Sequence, residues 1–333
     1  MSLNKILTLP LVSVDLKDIS DEPGPYCMSF GFDPDPLISS IKSTGIVNSP
    51  ILATNIQGNL DIVTGYRRII AAKSLNLDRL QCRIISDSSL SSLECLLLNL
   101  HDNLAARELN EMEKAMVLSR LKKLLPEKDI LYTYMRLLGL PSNEATFKRF
   151  VKMDRELDQN MKQLVSKGRI SFQSAEKILD MNPDLRNYVL ELFSLFTFNI
   201  NQQSHLIDYM SDIIHSRKHS IADMTGEAEF RQINLNKHMN NPQKAKAIIQ
   251  FFRDKRFPTL VKAEKEFKDR ISSLELFYGV RINYPPFFEG PFFRMEVLFK
   301  NGRELKKMTE QISRLEGLED IVPPWHKKDD KNK

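Results

Sequence analysis

Residues Leu37 to Arg68 read LISSIKSTGIVNSPILATNIQGNLDIVTGYRR, and the rest of the chain is organised around them. Leu37, Ile38 and Ile41 recur at helical spacing, and Gly45 stops that helix. Pro50-Ile51-Leu52 opens a short apolar run, Gln57-Gly58-Asn59 turns it, and Leu60-Asp61-Ile62-Val63 returns, which is the pattern of a hairpin. Gly65 breaks the second strand, and Tyr66-Arg67-Arg68 leads into the helical run IIAAKSL. The stretch therefore predicts helix, hairpin, glycine turn, helix.

Arg67 and Arg68 fall in the first turn of that last helix, where the macrodipole disfavours cations. Unpaired backbone N–H groups point the same way there, toward any bound anion. Two readings fit: a pair of solvated arginines after a turn, or an anion site in which a phosphate offsets the stacked positive charge.

The chain has 333 residues and is 42% apolar, enough for two or three folded domains and too apolar for a disordered chain. A net charge of +5 is mildly basic and compatible with DNA without requiring it. Cys27, Cys82 and Cys95 are odd in number and form no CxxC pair, so a disulfide framework or zinc site does not fit and a reducing cytoplasm does. Ile6 to Val14 is apolar but short and reads as a first strand rather than a leader. The longest apolar stretch, Tyr188 to Ile200, contains Glu191 and is too short to span a bilayer.

Asp21 to Pro36, rich in Pro, Gly and Asp, reads as a loop, Leu80 to Ile85 as a strand and Ser91 to Leu100 as an apolar helix. That helix delivers Asp102-Asn103 and Arg107, followed by Leu109-Asn110-Glu111-Met112-Glu113. A carboxylate beside a carboxamide offers hard oxygen ligands of the kind Mg²⁺ on a triphosphate takes; the alternative is that Asp102 or Asn110 is a plain helix cap. From Asn110 to Met181 the pattern is helical. Gly139-Leu140-Pro141 breaks it, Ser142 or Asn143 caps the next helix, and EATFKRFVKMDREL follows. In that helix Phe147, Phe150, Val151 and Leu157 share one face, with Lys148, Arg149 and Lys152 opposite. A short glycine turn into a helix with a basic outer face suits a helix-turn-helix, although basic surface helices are common. Pro242 to Arg256 reads as a second basic amphipathic helix and Val261 to Leu276 as another. His215 and His219 sit one turn apart with too few companions for a zinc site. Val280 to Tyr284 and Phe292 to Phe299 read as strands, Asn301-Gly302 as a turn and Arg303 to Leu315 as a helix.

The combination of Gly45-Ile46, Pro50-Ile51, a hairpin, Gly65-x-Arg67-Arg68 and Ala71-Ala72 resembles the N-terminal domain of ParB-type chromosome- and plasmid-partition proteins. The resemblance continues through Asp102-Asn103 and through Gly168-Arg169-Ile170-Ser171 leading to Ala175. It implies an α+β fold: a small mixed α/β ParB/sulfiredoxin-like N-terminal domain (1–108), an all-α helix-turn-helix middle (109–183), a helical connecting region (184–278), a small ββα dimerisation unit (279–322) and a polar, disordered tail (323–333). It further implies a nucleotide site for CTP with Mg²⁺, formed by Gly45, Asn48, Gly65, Arg67, Arg68, Asn103 and Arg107. Asp102 and Asn103 would hold the metal, and Thr146, Lys148, Arg149 and Lys152 would contact double-stranded DNA. Asn48 is expected near the base, and Arg67 and Arg68 are expected to be exposed without ligand. The implied protein is a cytoplasmic, nucleoid- or plasmid-associated homodimer, a CTP-gated DNA clamp with a ParA-type partner ATPase and no membrane. Two departures stand out: the family arginine after Asn103 falls on Ala106 rather than Arg107, and Tyr66 occupies a place where many partition proteins carry glutamate. Tyrosine is no carboxylate base, so any CTPase is slow and no catalytic residue is assigned. Nor is Tyr66 the cysteine nucleophile that sulfiredoxin uses at this turn. The rival functions are a transcriptional regulator of the same fold without nucleotide switching, and a nuclease or kinase-type enzyme.

Overall fold

The computed structural model describes Ile6 and residues 8–86, 90–217 and 226–324. The chain forms two compact units, Met1–Asp208 with Met239–Ala245, and Tyr209–His238 with Lys246–Lys333.

The first unit begins with strand β1 (Leu11–Asp15), helix α1 (Asp35–Thr44), the hairpin β2 (Ile51–Thr54) and β3 (Leu60–Thr64), helix α2 (Tyr66–Ser74), strand β4 (Arg79–Ile85) and helix α3 (Ser92–Ala106). The strand order is β1-β4-β2-β3; β2 runs parallel to β4, and the other two pairings are antiparallel. Ile6 to Val14 is therefore strand only from Leu11, since Pro10 immediately precedes it and has no N–H to give a ladder. Alternation along the strands sends Leu52, Ile62 and Cys82 to one face, against Ile69 and Ala72 of α2. Ala53, Val63 and Ile85 go to the other, with Cys95 of α3. The sheet is thus covered on both faces by the helices that flank the glycine turn and the Asp102-Asn103 segment. All three cysteines are buried thiols.

Helix α4 (Glu111–Leu121) opens the all-helical part of this unit, with Asn110 and Glu113 forming a capping box. A helical segment follows: α5 (Glu127–Asp129), a π-helical turn over Ile130–Tyr134, and α6 (Met135–Leu137). These pieces form one continuous helical run from Glu127 to Leu137 with a π-turn inside it. After the Gly139-Leu140-Pro141 turn, Asn143 caps α7 (Glu144–Glu156), which buries Phe147, Phe150 and Met153. Helices α8 (Gln159–Ser166), α9 (Phe172–Leu179) and α10 (Pro183–Leu195) continue, and α11 (Ile200–Arg217) runs into the second unit.

The second unit holds α12 (Ala228–Leu235), most of α13 (Asn241–Arg256), α14 (Pro258–Ser273), the antiparallel pair β5 (Val280–Asn283) and β6 (Arg294–Val297), and α15 (Gly302–Ile312). The strand read over Phe292 to Phe299 is ordered as β over only its middle four residues. Phe267 of α14 stacks on Phe293, with ring planes 3° apart, and Tyr284 stacks on Phe288. His219 and residues 325–333 lie outside the described residues, whereas His215 Nδ1 meets the Ser211 carbonyl at 2.7 Å. Among the described residues no helix is long and apolar enough to cross a membrane. Mixed sheet, helical middle and ββα end make the protein α+β.

Candidate functional site

The site begins with a backbone constraint. Gly65 caps α2 at φ 89°, and a Cβ there would lie 2.9 Å from Pro50 Cβ, so any side chain is both strained and blocked. The Gly65 carbonyl accepts from the N–H groups of Arg68 and Ile69, starting the helix so that Tyr66, Arg67 and Arg68 occupy its first turn. Facing them, α3 presents Asn99, Asp102, Asn103 and Ala106 on one side, as i, i+3, i+4 spacing dictates. Asn99 is buried and donates to the Val63 carbonyl, which fastens α3 to β3. Together with Ser29, Leu37 and Arg107 these residues line a cleft of about 120 Å³.

The arginines are held rather than loose. Arg67 Nη2 lies 2.8 Å from Glu113 Oε1, its Nε donates to Ser29 Oγ at 3.2 Å, and its guanidinium covers the Phe32 ring at 4.7 Å. Arg107 Nη1 lies 2.5 Å from Glu113 Oε2, and its Nε donates to Asn103 Oδ1 at 3.0 Å. Glu113, whose side chain is 1% exposed, also accepts from the N–H groups of Phe30 and Asn110. Arg68 donates to the Asn48 carbonyl at 3.0 Å and lies 3.7 Å from Asp102 Oδ2. Burial lowers the Arg67 pKa from the ordinary guanidinium value, the neighbouring charge of Arg107 adds to that, and Glu113 opposes it. Arg67 and Arg68 are 28% and 23% exposed, so the expectation of two exposed side chains is corrected: one is committed to a buried carboxylate, the other packs against the loop after α1.

Gly65, Arg67, Arg68, Asp102, Asn103 and Arg107 thus share one cleft, while Gly45 ends α1 outside it. Asn48 contributes its main-chain carbonyl to Arg68. The one-residue displacement of Arg107 is absorbed by its backbone: it caps α3 in an extended conformation (φ −165°, ψ 167°), and the side chain turns back to Asn103 and Glu113. Tyr66 sends its hydroxyl out to the Asp21 carbonyl and its ring edge-on to Phe32. Of the two expected metal ligands, Asn103 Oδ1 is taken by Arg107 and its amide bonds Asn99, which leaves Asp102 as the open oxygen donor. Among the described residues no three His, Cys, Asp or Glu cluster as a metal site. A magnesium ion carried on phosphates needs only one or two protein ligands, and Asp102 is the residue that could supply one. Ser29 and Phe32 were not singled out by the motifs, and Glu113, quoted within the Leu109–Glu113 segment, was given no role there; the structure shows it in a capping box with Asn110.

On α7, Thr146 donates its backbone N–H to the Asn143 cap. Lys148 pairs with Glu144 at 2.6 Å, and Lys152 lies 3.5 Å from Asp180. Arg149 lies 2.8 Å from Glu176 and covers the Phe172 ring. Lys148, Arg149 and Lys152 on the outer face of α7 are therefore matched with acids, Lys148 being the most exposed of these three. Arg253, Lys255 and Arg256 at the end of α13 are likewise paired, with Glu264, Glu227 and Asp212.

Because Glu113 is buried, Arg67→Ala should lower unfolding free energy by roughly 2 kcal/mol, whereas Arg68→Ala, which frees only a half-exposed Asp102, should cost well under about 1 kcal/mol. Urea denaturation of the two variants checks this; equal effects contradict the asymmetry.

No family model matches the chain, and no curated protein matches it. Among solved structures it is similar to the C-terminally truncated chromosome-partitioning protein ParB from Caulobacter crescentus complexed with CTP-gamma-S, at 17% identity over 56% of this chain and 99% of that one, with a TM-score of 0.25. It is similar to the same truncated protein complexed to the centromeric parS site, at 16% identity over 59% and 98%, with a TM-score of 0.31. The C2221 form of a Pnob8-like ParB-N domain is a third, at 17% identity over 72% and 98%, with a TM-score of 0.33.

Proposed function

We propose that the chain is a ParB-like, cytoplasmic DNA-binding partition protein whose cleft binds the polyphosphate of CTP. The observation that carries this reading is the convergence of Arg67, Arg68 and Arg107 on one cleft at the N-terminus of α2. Backbone N–H groups, the helix dipole and guanidinium forks all favour an anion there. A cleft of about 120 Å³ is smaller than the ~300–1,000 Å³ of pockets that enclose whole ligands. It suits the phosphates, with the nucleoside lying beyond it toward the Asn48 loop. Asp102 is the residue that would hold Mg²⁺, which when bound neutralises phosphate charge. Tyr66, its hydroxyl occupied by Asp21, offers no base, so hydrolysis is slow. Calorimetry should find Mg²⁺-dependent CTP binding, strengthened by duplex DNA selected on the protein and lost when Arg68 is replaced by alanine. No heat with wild-type protein and its selected DNA rejects the nucleotide switch and leaves a DNA-binding regulator.

The DNA surface in this reading is the outer face of α7, where phosphates would replace Glu144, Glu176 and Asp180 as partners of Lys148, Arg149 and Lys152. Replacing the three bases with alanine should weaken duplex binding and flatten the salt dependence by roughly one unit of slope per lost contact. Unchanged affinity moves the surface elsewhere.

Dimerisation is assigned to the ββα end. Phe292, Leu298 and Phe299 are exposed around a two-stranded sheet, and such a pair is marginal alone. A second copy related by two-fold symmetry would cover them. Removing residues 280–333 should give monomers in light scattering, and a ligand-free dimer after truncation contradicts the assignment.

A further inference from the structure

We infer that Glu113 is a positioning residue for the anion cleft: it holds Arg67 and Arg107 side by side as a two-armed clamp. The inference rests on the nucleotide reading of the cleft and deepens it. Two guanidinium groups that meet on one carboxylate repel each other. A single carboxylate between them removes that cost. Oε1 takes Arg67 at 2.8 Å and Oε2 takes Arg107 at 2.5 Å, so each arginine has its own oxygen. The carboxylate cannot itself swing into the cleft, because the N–H groups of Phe30 and Asn110 fix it from behind at 3.1 and 3.0 Å. Ser29 Oγ receives a second donor from each arginine, Arg67 Nε and Arg107 Nη2, which locks their planes as well as their positions.

What remains unspent is the useful edge. Arg67 Nη1 has no acceptor among the described residues, and Arg107 Nη2 bonds only Ser29. Both side chains line the cleft. Those nitrogens are the donors left for two oxygens of a polyphosphate. Glu113 also lies in the first turn of α4, so the clamp is aligned by the start of the helical region rather than by the α/β region alone. A ligand that tightens the two arginines therefore acts on that helix start as well.

The test has two arms. In ligand-free protein, the guanidinium ¹⁵Nη–H signals of Arg67 and Arg107, the groups that bond Glu113, should be protected from exchange in wild type and lost in Glu113→Gln, with circular dichroism unchanged. Signals that stay protected in the variant overturn the positioning role. In the second arm, tripolyphosphate and Mg²⁺–CTP are titrated by calorimetry. Glu113→Gln should weaken both by about tenfold or more. In an Arg107→Met background the same change should add far less, because one arm of the clamp is already gone. Full additivity, or unchanged affinity in the single variant, overturns the inference. If Glu113→Gln does not fold, Glu113→Asp, which draws the carboxylate back by one methylene, takes its place with the same expected signs. Wild-type protein that binds neither probe rejects the nucleotide reading, while the first arm still decides whether Glu113 holds the arginines.

Discussion

A carboxylate taken out of water is tolerated only when opposite charge and hydrogen bonds replace the solvent it loses. Glu113 meets that demand with two guanidiniums and two backbone amides, and the geometry of the N-terminal half follows from it. Phe30 reaches it across 83 residues of sequence and Arg67 across 46, so the loop before α1, the start of α2, the end of α3 and the start of α4 meet at one side chain. Asn110 adds to the knot by donating to the Phe30 carbonyl while capping α4.

The charge balance of the cleft follows from the same knot. Three arginines face Glu113 and Asp102, three positive charges against two negative, which leaves an excess of one. That excess sits at the start of a helix, where the macrodipole adds to it. The outer face of α7 is different: Lys148, Arg149 and Lys152 each find an acidic partner within the protein. Exposed pairs of this kind contribute little stability and exchange readily for other anions, whereas the cleft carries charge that the fold itself leaves unbalanced.

Several local features were legible because they depend on neighbours in sequence. The apolar runs and the turn at Gln57-Gly58-Asn59 gave the β2–β3 hairpin, whose residues the structure divides between two faces, Leu52 and Ile62 on one and Ala53 and Val63 on the other. Gly65 was readable as a break, and its positive φ and contact with Pro50 give the reason no other residue serves. The caps at Asn110 and Asn143 follow from side-chain chemistry at fixed offsets. The π-helical turn at Ile130–Tyr134 was not readable, since a helical pattern does not reveal where its ladder slips.

The sequence by itself determined the order of elements around the glycine turn, the glycine that admits α2 and the presence of basic residues near that helix start, because each rests on interactions within a few residues. Tertiary structure decided what those residues touch. Arg67 had the same sequence neighbours as a solvated arginine would have; its burial comes from Glu113, 46 residues away. Arg107 is out of place by sequence register, yet an extended backbone after α3 returns it to the cleft. Glu113 had no role assigned from sequence, because its service to two arginines depends on bringing four distant segments together around one desolvated charge.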